Sequence, residues 1–129
     1  MSVTFSLRVN NSHVDILNSN FNPHEAEDPI YNPRYESDAI YPEINVSNIN
    51  AFRIIREFEL PVSNDLVGLL LNKDVNDFVL RVNKLQSKYE SLDRLSLITE
   101  EEIYLQRLAK YFDRLGRYAL ALNDDIVWS

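Results

Sequence analysis

A chain of 129 residues without a cysteine can form one core that buries roughly two thirds of its unfolded surface, and it must hold by packing alone. Disulfides, thiolate nucleophiles, iron–sulfur clusters and cysteine-based zinc sites are excluded together. Twenty acids against thirteen bases give a net charge of −7, which disfavours nucleic acid and anionic membrane, and the longest apolar run, Leu66 to Leu71, is too short to span a bilayer.

The composition, 45% apolar and 26% charged, is that of an ordinary soluble protein, and no export signal is visible in the first twenty residues, so the expected location is cytoplasmic. Along the chain the reading is a single α+β domain, residues 1–129. Val3, Phe5, Leu7 and Val9 alternate with polar residues, the period of a strand with one buried face. Asn10 to His13 are turn formers, and Val14 to Leu17 can return as a partner, so residues 1–17 read as a β-hairpin.

From 18 to 46 the periodicity vanishes among Pro23, Pro29, Pro33 and Pro42, giving a long acidic loop in which Phe21, Tyr31, Tyr35 and Tyr41 are expected to anchor on the core. Residues 1–50 hold seven acids against Arg8 and Arg34, while the remainder holds thirteen against eleven bases. A loop this long in a small domain is often functional; the plainer reading is that it covers the sheet or the bundle.

Residues 47–122 read as a helical bundle of three to four members. Ser47 can cap a first helix with Ile49, Phe52, Ile55 and Phe58 on one face, stopped by Pro61. Ser63 or Asn64 can cap a short buried helix through Leu66–Leu71, and Asp74 a third with a stripe of Val75, Phe78, Val79, Val82, Leu85, Gln86 and Tyr89. Thr99 and Glu102 form a capping box for the last and longest, whose apolar face runs from Tyr104 through Leu108, Tyr111, Phe112, Leu115, Tyr118 and Ala119 to Leu122. Residues 123–129 are an apolar tail. Ile126, Val127 and Trp128 can add a strand beside the hairpin or dock in a groove.

Candidate chemistry is sparse. His13 and His24 are the only histidines, and although His24, Glu25, Glu27 and Asp28 lie together, they lack the spacing and glycine turn of a calcium loop. Gly68 and Gly116 are the only glycines, so no phosphate-cradling loop or strained serine elbow exists. No catalytic residue, metal site or cofactor is assigned. Arg107, Lys110, Arg114 and Arg117 fall within roughly 60–80° of each other on the back of the last helix. That stripe reads plainly as a solvated face. Its alternatives are a contact for phosphate or an acidic partner, and pairing with the acidic loop.

The stretch Ile44-Asn45-Val46-Ser47-Asn48-Ile49-Asn50-Ala51 before an apolar helix, and the closing Ile126-Val127-Trp128-Ser129, resemble a group of small bacterial proteins that carry no assigned activity. The resemblance covers only the helix entry and the tail. It implies a bacterial or phage cytosolic origin and transfers no functional residue, but it singles out Asn45, Asn48 and Asn50 as a candidate buried polar knot.

The function expected is a non-catalytic interaction protein of immunity, inhibitor or adaptor type. Its contact surface would be Glu25, Glu27, Asp28, Tyr31, Tyr35, Glu36, Asp38 and Tyr41, presented to a basic protein partner. Two alternatives stand beside it: a ligand-binding protein or enzyme with a carboxylate-lined pocket, and a structural subunit that self-associates through Trp128 and the apolar tail. The oligomeric state is left open.

Overall fold

In the computed structural model the described residues are 2–8, 43–61 and 66–129. Strand β1 is Ser2–Leu7 and, as its alternation predicts, buries Val3, Phe5 and Leu7. Strand β2, Glu43–Ser47, pairs with it antiparallel from Ser2↔Ser47 to Ser6↔Glu43. On its other edge β1 meets β4, Ile126–Trp128, which in turn pairs with β3, Gly68–Leu70. The four-stranded antiparallel sheet therefore runs β2-β1-β4-β3.

An α+β fold with an antiparallel N-terminal pair and a helical bundle is what the structure contains, and the C-terminal tail joins the sheet. Two elements differ from expectation. Glu43–Ser47 is a strand and not the end of a loop. Only Ile44 and Val46 alternate there with Asn45, too short a run to stand out beside the preceding prolines. Val14 to Leu17, the expected return strand, lies outside the described residues. Leu66 to Leu71 is not a helix. Leu66 takes a positive φ of 53°, and Gly68–Leu70 then form the strand at the end of the sheet, with Leu70 buried and Leu69 exposed. Gly68 is required there, because a Cβ on it would come within 2.2 Å of the Trp128 ring lying across it.

Helix α1, Asn48–Glu57, starts at the expected Ser47, whose hydroxyl accepts from the Asn50 N–H at 3.4 Å. The inward face is rotated from the expected one and keeps only Ile55 and Phe58 of it. Ala51, Ile54 and Ile55 are buried, followed by Phe58, while Ile49 and Phe52 point outward. Both sets fit a 3.6-residue period, and the set containing the small Ala51 is the one that packs inward. The asparagines do not form a buried knot. Asn45 alternates to the outer face and donates to Thr4 Oγ1 at 2.7 Å, and Asn48 and Asn50 are half-buried.

Helices α2, Asn72–Arg94, and α3, Glu100–Leu122, each have 23 residues, so α3 is not the longer. Helix α2 begins two residues before Asp74, and Leu71 at its cap position has no side chain to offer. The Asn72 N–H instead donates to Asp125 Oδ1 at 2.7 Å, a cap supplied from the far end of the chain. Asp125 also binds Arg8 at 3.0 Å. Helix α3 has the full capping box: Glu102 N–H donates to Thr99 Oγ1 at 3.2 Å and Thr99 N–H to Glu102 Oε1 at 3.1 Å.

Close approach of α2 and α3 depends on Gly116, where a Cβ would meet Val79 Cγ2 at 2.5 Å. Between sheet and helices, Phe5, Phe58, Phe78 and Phe112 pack largely edge to face. Phe112 lies 5.0 Å from Phe5 and 5.2 Å from Phe58 between ring centroids. Trp128 joins them at 5.6 Å from Phe5 and is 1% exposed, so its ring belongs to the core.

Candidate functional site

A polar niche of about 340 Å³ opens where α1 ends, α2 nears its end and α3 begins. Each element delivers its residues for a local reason. The last turn of α1 brings Arg56 and Glu57; the apolar stripe of α2 carries Tyr89, with Lys88 beside it; and the first turn of α3 brings Glu101 and Glu102, placed where the helix dipole favours negative charge. Arg56 bridges two helices, donating from Nε to Glu57 Oε1 and from Nη2 to Glu101 Oε1, each at 3.2 Å. Arg53 Nε lies 3.6 Å from the same Glu101 oxygen.

Tyr89 is 1% exposed, yet its hydroxyl hydrogen-bonds none of the described residues although it lines the niche. Burial, reinforced by Glu57, Glu102 and Glu101, pushes its pKa up to about 12. At neutral pH the group is a neutral phenol able both to donate and to accept. Phe52, Ile55, Arg56, Glu59 and Leu60 line a second groove of about 570 Å³. Ile49, 68% exposed, and Phe52, 56% exposed, make the outer face of α1 apolar.

The acidic contact residues expected from the sequence, Glu25, Glu27, Asp28, Tyr31, Tyr35, Glu36, Asp38 and Tyr41, all lie outside the described residues, as does their pairing with the basic stripe. The stripe itself is not uniform. Arg107 and Lys110 are exposed and make no ion pair among the described residues, whereas Arg117 binds both oxygens of Asp113 at 3.0 and 3.1 Å. Arg114 is half-buried over the Tyr118 ring, 5.7 Å from its centroid. Nearby, burial raises the Tyr104 hydroxyl, opposed by Arg53, by a hydrogen bond with Asn50 and by Arg107.

The niche was missed because its members have separate structural readings: a helix end, a core stripe and a capping box. The one signal available was a tyrosine on an otherwise apolar stripe, since a buried phenol needs a partner for its hydroxyl. Among the described residues no group of three or more His, Cys, Asp or Glu is placed to hold a metal ion, and no helix is long and apolar enough to cross a membrane. Comparison with known proteins found no match among family models, curated proteins or solved structures.

Proposed function

We propose that the protein is a non-catalytic interaction module that binds a basic protein partner, with a cytoplasmic setting as part of the same reading. The division of charge carries it. Within the described fold, Asp125 meets Arg8, Glu101 meets Arg53 and Arg56, Glu59 meets Arg81, and Asp113 meets Arg117. Residues 9–42 add Asp15, Glu25, Glu27, Asp28, Glu36 and Asp38 against Arg34 alone. Negative charge concentrated in one segment steers a positively charged protein into contact and fixes which partners are accepted.

Capture from a cell extract tests this, comparing the tagged protein with a variant carrying lysine at Glu25, Glu27, Asp28, Glu36 and Asp38. The expected result is retention of basic proteins by the parent at low salt, release as salt rises, and no retention by the variant. The same proteins held equally by both would overturn the proposal. The competing reading, a ligand pocket, has its best place in the niche at Tyr89.

A further inference from the structure

We propose that the niche at Tyr89 receives the guanidinium head of an arginine side chain, held between the Tyr89 hydroxyl and the carboxylates of Glu57, Glu101 and Glu102. That the head belongs to a protein partner rests on the function proposed above. The first observation is the hydroxyl itself: a phenol on a side chain 1% exposed, facing a niche and hydrogen-bonded to none of the described residues. Buried polar groups are ordinarily satisfied, and one left open toward a niche calls for a partner from outside.

The second observation is the pattern of bonds on the carboxylates. Arg56 and Arg53 reach Glu57 and Glu101 only at Oε1, and Thr99 reaches Glu102 only at Oε1. Each Oε2 therefore keeps its accepting capacity. With the phenol oxygen, these are four acceptors on niche residues to which the described residues donate no hydrogen bond. A guanidinium offers five N–H donors spread over a plane, so it can reach several separated acceptors at once, whereas the three donors of an ammonium radiate from one nitrogen and need acceptors that converge.

A bare divalent cation fits poorly, because it needs oxygens converging on one point and these carboxylates form no such group. About 340 Å³ accommodates the end of one long side chain. Arg56 supplies the internal precedent, being a guanidinium already bound to two of these carboxylates, and it is also the competitor for them. Lys88 is exposed at the rim and can turn into solvent as a guest enters.

The test is an amide-resolved NMR titration of the intact protein with methylguanidinium chloride, run against sodium chloride at equal ionic strength and against sodium phosphate. Saturable shifts at the Glu57, Tyr89 and Glu102 amides with methylguanidinium alone are expected. Affinity should fall about tenfold in Tyr89→Phe, the value of one hydrogen bond to a charged group. It should also fall in Glu102→Gln, where the amide keeps the capping acceptor and loses the charge. Arg56→Ala should bind more tightly. Absence of a saturable response, an unchanged affinity in Tyr89→Phe, or a response to phosphate in place of the cation would overturn the proposal. No partner is present in the titration, so its failure is distinguishable from a failure of the capture experiment.

Discussion

The α2–α3 hairpin and the sheet are built by opposite means. Each hairpin helix is a continuous 23-residue segment whose buried stripe recurs every three or four residues, and α3 carries its own start signal in Thr99 and Glu102. The sheet is assembled from four strands of three to six residues drawn from both ends and the middle of the chain. In the hairpin, local chemistry and tertiary packing agree. In the sheet, no strand but β1 carries enough local pattern to declare itself, and register comes from long-range fits such as Gly68 against Trp128.

The sharpest way to break both regions at once is Phe112→Ala, since that ring touches Phe5 of the sheet and Phe58 at the end of α1. A loss of about 3–5 kcal/mol is expected, read by denaturant unfolding. Gly68→Val probes the sheet alone. The added branches must displace a rigid indole, so about 1–3 kcal/mol should be lost, with a red shift in Trp128 emission as the ring is exposed. An equal loss without the spectral change would show that the strand, and not the ring, had yielded.

Asp125→Ala removes the acceptor for the Asn72 N–H and the partner of Arg8, so about 1–2 kcal/mol should go. Because this residue ties the sheet to the start of α2, hydrogen exchange should accelerate first at Asn72 and its neighbours. Thr99→Ala disturbs only the hairpin and should cost about 1 kcal/mol, with faster exchange confined to the first turn of α3. The Tyr89 effect is the smallest and shows only as a change of stability in alkaline solution. Its folded pKa of about 12 exceeds the ordinary 10.0, so the folded state holds its proton longer than the unfolded chain does. The contribution is complete below pH 10, is lost as pH rises through about 12, and should disappear in Tyr89→Phe when unfolding is followed against pH.

Legibility followed the same division. The α2 stripe, the Ser47 cap and the Thr99–Glu102 box were readable because each needs only residues a few positions apart. The face of α1 was not, because Ile49 with Phe52 and Ala51 with Ile54 satisfy one period equally, and only the surface they pack against chooses between them. Of the candidate site, the sequence showed the acidic character of residues 9–42 and the basic residues Arg107, Lys110, Arg114 and Arg117. It did not show that Arg114 would lean on Tyr118 or Arg117 on Asp113. The Tyr89 niche was invisible for a further reason: its eight lining residues come from three helices and the Thr99 cap, and each has a sufficient local explanation.

The α+β class, the α3 cap, the buried stripe of α2, the first strand and the uneven distribution of charge follow from the order of residues alone. All of these are written at a spacing of two to four residues, where backbone geometry alone sets the rule. Tertiary packing alone set which strand lies beside which, that Asp125 rather than Asp74 caps α2, that Trp128 fills the space left by Gly68, and that three glutamates and one phenol line the same niche. Those outcomes depend on surfaces meeting across the fold, and the fit of one surface to another is not encoded at either partner alone.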